Sequence, residues 1–121
     1  MAVSDCIFCQ PRPYVLENAR AAAFFDNHPV SLGHLLIIPK QHYATYFEVP
    51  AADRAAMATL LDEAKVYLDG QYQPDGYNIG INVGPAAGQT IMHCHIHLIP
   101  RYRGDILHPE GGIRKLLPGE K

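Results

Sequence analysis

The spacing of apolar residues along the chain changes several times, and each change predicts a structural element. Short segments at residues 14–17 and 20–25 predict two strands, and Asn18 between them predicts a turn. A continuous apolar run at residues 34–38, bounded by a glycine and a proline, is typical of a strand buried on both faces. The N-terminal half therefore begins as a small sheet.

The longest periodic segment follows at residues 51–70. Apolar side chains recur there at steps of three and four residues, and charged side chains occupy the opposite side, as in an amphipathic helix. Pro50 precedes the predicted start, and Gly70 marks the predicted end. The predicted core positions of this helix are Met57, Leu60, Leu61, Ala64, Tyr67 and Leu68.

Two further strands are predicted after the helix, at residues 77–83 and 92–99, with a glycine-rich loop at residues 84–90 between them. Together these elements predict an α+β domain with a mainly antiparallel sheet of about five strands, one long amphipathic helix and a short one. Residues 104–121 show no clear period. We therefore predict that they form an irregular C-terminal tail, which follows a core of about residues 5–103.

Composition and charge narrow the class of protein. A chain of 121 residues with 48% hydrophobic and 18% charged residues is typical of one globular domain. Its net charge of −2 argues against nucleic acid or an anionic membrane as a partner, because both attract basic surfaces. The sequence contains neither an apolar run of about 18 residues nor a secretory signal pattern. We therefore expect a single cytoplasmic domain over residues 1–121.

The candidate chemistry is concentrated in the last predicted strand. Because side chains alternate between the two faces of a strand, His93, His95 and His97 share one face and the residues between them point into the core. Three imidazoles in a row can bind a metal, or they can act as a nucleophile and a general acid. The preceding loop, residues 84–90, offers backbone N–H groups and small polar side chains of the kind that hold phosphates.

A second candidate site contains Cys6 and Cys9, which are separated by two residues. This spacing is found in zinc-binding proteins, and His42 and His93 could complete a set of four ligands. Two thiols at this spacing also occur as redox-active pairs or as buried residues, so the pattern leaves those alternatives open. Cys94 lies on the core side of its strand, where we expect a small apolar filler.

The histidine strand resembles a known signature. Residues 93–99, His-Cys-His-Ile-His-Leu-Ile, match the His-φ-His-φ-His-φ-φ pattern (φ, apolar) of the histidine triad (HIT) family of nucleotide hydrolases and transferases. The resemblance extends from about Cys6 to Asp105. Other segments similar to the blocks of the family are Phe25-Asp26 and residues 33–40, 77–82 and 88–90.

The resemblance implies catalytic roles for three histidines. His95 resembles the nucleophile that attacks the α-phosphorus of a nucleotide and forms a covalent nucleotidyl-histidine. His97 resembles the triad member that orients the nucleophile and contacts the phosphate, and His34 resembles a further histidine that supports the triad from the neighbouring strand. Some members of the family bind a structural zinc through two cysteines and two histidines, and the matching positions here are Cys6, Cys9, His42 and His93.

The resemblance also implies the contacts of a nucleotide. Gln89 and Thr90 resemble residues that contact the phosphate and the leaving group, and Asn82 resembles a residue near the scissile phosphate. Asp26 resembles the acidic residue that holds the ribose hydroxyls, and a carboxylate is well suited to accept two such hydrogen bonds. The residues that match the apolar walls of the base pocket are Ile7, Phe8 and Phe24.

The function that the resemblance implies is a nucleotide-binding hydrolase that acts as a homodimer. It would cleave at the α-phosphate of a purine nucleotide phosphoramidate or of a dinucleoside polyphosphate, with zinc in a structural role and no cofactor required for the chemistry. The alternative is a nucleotide-binding adaptor with incidental hydrolysis, although a pure binder has no need of a nucleophile. Nucleotidyl transfer to a sugar phosphate is disfavoured, because the chain has no second domain to hold the acceptor.

Overall fold

A long helix lies across one face of a five-stranded antiparallel sheet in the computed structural model, which describes residues 4–119. The predicted α+β class is confirmed. The helix, α1, spans Ala51–Tyr72, and no helix of the described residues is both long enough and apolar enough to cross a membrane. The strands are β1 (Leu16–Glu17), β2 (Ala21–Phe25), β3 (Leu35–Pro39), β4 (Gly76–Gly80) and β5 (Ile96–Arg101).

The order of strands in the sheet is β1-β2-β3-β5-β4, so the histidine-bearing strand β5 lies between β3 and β4. Register places Leu36 opposite Phe24 on one side and opposite His97 on the other. His97 in turn lies opposite Gly80 of β4. One row across the sheet thus joins an aromatic residue, an aliphatic residue and the last histidine of the triad.

Both faces of the sheet are buried near its centre, as the apolar run of β3 predicts. Leu35 and Ile37 pack towards α1 in the main core, together with Met57, Leu60 and Leu68 of the helix. The other face forms a second, smaller cluster, which Phe8 covers from the N-terminal segment. The members of this second cluster are Phe8, Ala22, Phe24, Leu36 and Ile38.

Helix α1 continues through Gly70, where the sequence predicts its end. It stops instead at Tyr72, and Gln73 takes the left-handed conformation (φ 53°) with its N–H donating to the carbonyl of Asp69. A single glycine costs a helix only about 1 kcal/mol, so it does not by itself terminate one. Pro74 directly after this cap prevents further extension.

Strand β5 starts later than the predicted span of residues 92–99 and runs past Pro100. Pro100 lies opposite Tyr77, and the pairing continues because the N–H of Asp75 donates to the carbonyl of Arg101 at 2.8 Å. A proline removes only its own donor from a ladder, so it did not end this strand.

The first and fourth strands agree with prediction except at their ends. The turn between β1 and β2 forms at Asn18, whose Oδ1 accepts hydrogen bonds from the N–H groups of Arg20 and Ala21. Strand β4 ends at Gly80 instead of residue 83, because its partner strand offers no paired residue beyond His97.

Short 3-10 helices take the place of the predicted short helix. One of them, Gly112–Leu116, lies within the segment predicted to be irregular, and a Cβ atom added at Gly112 would lie 3.5 Å from Nδ2 of Asn78 in β4. The others are Ile7–Cys9, Tyr46–Glu48 and Pro85–Ala87.

Gly33 lies just before β3 and packs against the last turn of α1, where there is no room for a side chain. Its φ is +90°, and a Cβ atom added there would lie 2.9 Å from Cδ2 of Tyr72 and 3.3 Å from Cδ2 of Leu68. Both the backbone conformation and the packing therefore require glycine next to His34.

We expect Gly33→Ala to lower the free energy of unfolding by about 1–3 kcal/mol, because it adds left-handed strain and overpacking. Gly70→Ala is the matched control, since Gly70 sits in α1 with open space around it. That change should stabilise the protein by about 0.5–1 kcal/mol. Chemical denaturation measures both values, and equal effects of the two changes would contradict this account.

Candidate active site and metal centre

The three histidines of the triad lie on the face of the sheet opposite α1, as strand alternation predicts. Cys94, Ile96 and Leu98 between them belong to the core under the helix. The ring of His95 lies 5.1 Å from that of Phe8 and 5.0 Å from that of His97, measured between centroids. His93 and His95 precede the start of β5, and this short segment is held by the N–H of Cys94, which donates to the carbonyl of Tyr43 at 2.7 Å.

The hydrogen bonding of His95 determines which ring nitrogen is available for chemistry. Its Nδ1 lies 2.8 Å from the main-chain carbonyl oxygen of His93. Because a carbonyl only accepts, the proton of the neutral ring resides on Nδ1 and donates to that oxygen. Nε2 is therefore left with a free lone pair, which is the form that a nucleophile or a base requires.

His97 is linked to His34 in the neighbouring strand. The N–H of Val30 donates to Nδ1 of His34 at 3.2 Å, so the proton of the neutral His34 ring lies on Nε2. That nitrogen is 3.0 Å from Nδ1 of His97, which must accept. The remaining nitrogen of His97, Nε2, then carries its proton.

Burial keeps this pair of imidazoles neutral. Burial and, to a smaller extent, the neighbouring rings of His95 and His34 lower the pKa of His97 to about 4, while Asp26 opposes the shift. Burial likewise lowers the pKa of His34, again against the effect of Asp26. Both rings are uncharged at neutral pH, so the link between them is a hydrogen bond of fixed direction.

Asp26 completes this cluster and also shapes the loop that follows β2. Its Oδ2 lies 3.5 Å from Nε2 of His34, and its Oδ1 accepts a hydrogen bond from the N–H of His28 at 2.9 Å. Asp26, His34 and His97 are close enough to hold a metal ion. The hydrogen bond from Val30 to His34 places a proton on the nitrogen that such an ion would need, and it favours a hydrogen-bonded network instead.

A cavity of about 340 Å³ opens beside His95 and His97. It gathers most of the residues that the sequence assigns to catalysis and nucleotide binding, with His34 directly behind its wall. The predicted residues that line the cavity are Ile7, Phe8, Phe24, Asp26, Asn82, Thr90, His95 and His97.

Gln89 is the predicted nucleotide contact that does not reach the cavity. Its side chain is buried, and its Nε2 donates to the carbonyls of Ala44 and Ile91, at 2.7 and 3.0 Å. Its Oε1 accepts a hydrogen bond from the N–H of Gly84 at 2.9 Å. Gln89 thus closes the glycine-rich loop from within, whereas the adjacent Thr90 is exposed at the cavity.

Several residues of the cavity wall were not found from the sequence. Arg12 is the most notable, because it is a cation in a wall that is otherwise apolar at that end. It lies between two prolines in a segment without periodicity, so no pattern distinguished it. The other residues missed are Asn27, His28, Leu36 and Ile91.

The predicted metal ligands converge next to the triad. Nδ1 of His93 lies 3.3 Å from Sγ of Cys6 and 3.5 Å from Sγ of Cys9, and Nδ1 of His42 lies 3.4 Å from Sγ of Cys9. All four ligand atoms lie within 4.8 Å of one another. Tetrahedral ligands at ordinary zinc bond lengths are separated by about 3.5 Å, so this spacing suits a metal ion.

The orientation of His93 strengthens this assignment. Its Nε2 lies 2.9 Å from the carbonyl oxygen of Pro39, to which it donates, and this leaves Nδ1 as the nitrogen that faces the cysteines. A ring nitrogen that donates to a backbone carbonyl while the other faces the metal is the usual arrangement of ligating histidines. The cluster of Cys6, Cys9, His42 and His93 is therefore able to hold a metal ion.

Comparison with known proteins agrees with this geometry. The sequence pattern of the HIT domain matches residues 9–104. The chain is 39% identical to the adenylylsulfatase HINT3 of Arabidopsis thaliana over 93% of its own length, and it spans 60% of the length of that relative. It is also 38% identical to an uncharacterised HIT-like protein of Methanocaldococcus jannaschii, covering 83% of this chain and 81% of the other.

Solved structures show the same fold. A Zn-bound histidine triad family protein of Mycobacterium smegmatis superposes with a TM-score of 0.76 at 34% identity, over 86% of this chain and 80% of the other. The matching sequence pattern covers most of the chain, and the relative from Methanocaldococcus jannaschii matches over most of both chains. The chain belongs to the HIT domain family.

Proposed function

We propose that this chain is a hydrolase that binds a purine nucleotide and cleaves at its α-phosphate through a covalent nucleotidyl-histidine at His95. The observation that carries the proposal is the hydrogen bond from Nδ1 of His95 to the carbonyl of His93. It leaves an unprotonated Nε2 on a residue that lines a cavity of about 340 Å³. Membership of the HIT domain family supports the same reading.

The reaction divides into two displacements at phosphorus. In the first, Nε2 of His95 forms a bond to the α-phosphorus, and the bond from phosphorus to the leaving group breaks. In the second, water forms a bond to the same phosphorus and gives up a proton to solvent, the bond to His95 breaks with its electron pair returning to Nε2, and the nucleoside monophosphate is released. The proton given up balances the one that the leaving group takes up from solvent in the first step. Each step has a better nucleophile or leaving group than direct hydrolysis offers.

His97 and His34 act by holding protons in place. The hydrogen-bonded series from Val30 through His34 leaves the proton of His97 on Nε2, where it can be donated to a phosphoryl oxygen. Because burial keeps the His97 ring neutral, it stabilises the phosphate by hydrogen bonding and not as a cation. The net charge of −2 fits this arrangement, in which imidazoles and not a basic surface hold the phosphate.

The remaining nucleotide contacts are distributed around the cavity. Asp26 would accept hydrogen bonds from the ribose hydroxyls through the lone pairs that His28 and His34 leave free. Thr90 and Asn82 would contact the phosphate and the leaving group. Gln89 would support these contacts from within the loop, and the residues that would enclose the base are Ile7, Phe8 and Phe24.

The substrate classes we propose are purine nucleotide phosphoramidates and dinucleoside polyphosphates. The name of the Arabidopsis thaliana relative adds a third kind of bond, the anhydride between an adenylyl group and sulfate. All three have a leaving group on the α-phosphorus, so one nucleophile serves for each. The alternative of a nucleotide-binding adaptor differs from this proposal in requiring no turnover.

Replacing His95 by Asn should lower the release of nucleoside monophosphate from a phosphoramidate by about 10³-fold or more, because the attacking nitrogen is lost. His108→Asn is the control, since the His108 side chain is 76% exposed and lies outside the cavity. Steady-state assays on both variants test the mechanism, and mass spectrometry of wild-type protein quenched with denaturant at alkaline pH, where a P–N bond survives, should detect the nucleotidyl adduct. Retained turnover in His95→Asn would contradict it, and binding without turnover in the wild type would favour the adaptor.

We also propose that the metal of the second cluster is zinc in a structural role. Two thiolates and two neutral imidazoles form a donor set that zinc prefers, and a relative of solved structure is Zn-bound. The metal would hold the N-terminal segment, through Cys6 and Cys9, against the segment that carries His93. It would supply no step of the reaction.

Protein purified without a His tag should contain about one zinc per chain by elemental analysis. Cys9→Ala should abolish stoichiometric zinc and lower Tm by about 10 °C or more, because the loss of even a few kcal/mol of metal binding is large for a domain of this size. Cys94→Ala serves as the control, because Cys94 lies in the core and outside the cluster. A folded, metal-free wild type with two titratable thiols would refute the assignment.

The homodimer stays a prediction. The features that support it are β4, which forms one edge of the sheet, and its Ile79, whose side chain is about half exposed. Sedimentation should give twice the chain mass of 13.4 kDa, and Ile79→Lys should shift it towards the monomer. A wild type that is monomeric at micromolar concentration would contradict the prediction.

A further inference from the structure

The apolar end of the candidate active-site cavity contains one cation. Among the described residues that line the cavity, Arg12 is the only lysine or arginine. It belongs to the N-terminal segment that also contributes Ile7 and Phe8, and it lies with Phe24 at the end that we assign to the base. The mechanism proposed above makes no use of it.

The guanidinium of Arg12 is held in place by its surroundings. Its Cζ lies 4.3 Å from the centroid of the Phe24 ring and 5.3 Å from that of Phe8, and its Nη2 donates to the carbonyl of Ile7 at 2.7 Å. Two aromatic contacts and one hydrogen bond fix the plane of the group, so little conformational freedom remains to be lost on binding.

The hydrogen-bonding capacity of Arg12 is nevertheless largely unused. Its Nε is buried without a hydrogen-bond partner within residues 4–119, and no carboxylate of that part of the chain forms an ion pair with it. A guanidinium has five N–H donors and no acceptor. Because Nε is buried, the donors that Arg12 offers to a ligand in the cavity are those of Nη1 and the second N–H of Nη2, and they can satisfy only a ligand that presents acceptors.

The two purines differ in this respect. Guanine presents two neighbouring acceptors, O6 and N7, which match the fork of an arginine, whereas adenine places an amino donor beside N7. We propose that Arg12 contacts this edge of the base and gives the enzyme a preference for guanine over adenine nucleotides. The inference rests on the proposed function, because it requires that the cavity bind a nucleotide.

A contact between Arg12 and the phosphate is the main competing role. Its position on the face of Phe24, in the second apolar cluster, favours the base. The phosphate end of the cavity is marked instead by His95, His97 and Thr90. A phosphate contact would affect all nucleotides equally, so the two roles are separable by experiment.

Calorimetric titration of the full chain with nucleoside monophosphates tests the inference without any turnover. One well-oriented arginine pair discriminates between bases by about 5- to 150-fold, so we expect GMP to bind at least about fivefold more tightly than AMP. IMP retains O6 and N7 and should bind like GMP. The monophosphate of 2-aminopurine riboside lacks O6 and should bind like AMP.

Arg12→Met should abolish the preference by weakening GMP and IMP and leaving AMP nearly unchanged. Arg12→Lys keeps the charge and loses the planar fork, so it should also lose most of the preference. Arg103→Met is the matched control, because the Arg103 side chain is 90% exposed and lies outside the cavity, and it should keep the wild-type preference. Thermal unfolding of each variant confirms that it is folded.

Each other outcome overturns the inference in a distinct way. Equal weakening of GMP and AMP by Arg12→Met would assign Arg12 to the phosphate, and a preference that follows the 2-amino group would assign recognition to another residue. Nucleotides that bind without base preference would refute this inference alone. Failure of all four nucleotides to bind the wild type would refute the proposed function with it.

Discussion

His93 is the residue on which both halves of the site depend. The His93 ring faces Cys6 and Cys9, and its carbonyl accepts the proton of His95. One residue thus belongs to the candidate metal cluster through its side chain and sets the tautomer of the proposed nucleophile through its backbone. A second carbonyl, that of Pro39, accepts a hydrogen bond from the His93 ring and fixes that ring in turn. Two hydrogen bonds to main-chain oxygens thus orient the two histidines.

The sheet supplies the second constraint. The antiparallel register places Phe24, Leu36 and His97 side by side on one face, so the wall of the cavity runs directly from aromatic to catalytic residues. His34 reaches His97 from the start of β3 because Gly33 allows the chain to turn tightly against Tyr72. The position of a catalytic group therefore depends on packing between the sheet and α1.

Much of this could be predicted from the sequence, for identifiable reasons. Periodicity gave the helix and the strands, and alternation placed the three histidines of the triad on one face. Element ends were less accurate, since a lone glycine did not stop α1 and a proline did not stop β5. Contacts across the chain escaped prediction: the buried side chain of Gln89 and the place of Arg12 in the cavity wall depend on tertiary packing that has no local pattern.

The side-chain amide of Gln89 forms hydrogen bonds through both its oxygen and its nitrogen, and these bonds order the loop that it closes. Its three hydrogen bonds join Gly84, Ala44 and Ile91, so the segment before the triad is ordered without help from a ligand. The N–H groups of Gly84, Ala87 and Gly88 also donate within the loop, so the entropy of ordering it is lost during folding instead of during binding. Under the proposed function, substitutions at the exposed positions of the loop would change which leaving groups are accepted without dismantling the site, so that one scaffold would serve several related substrates.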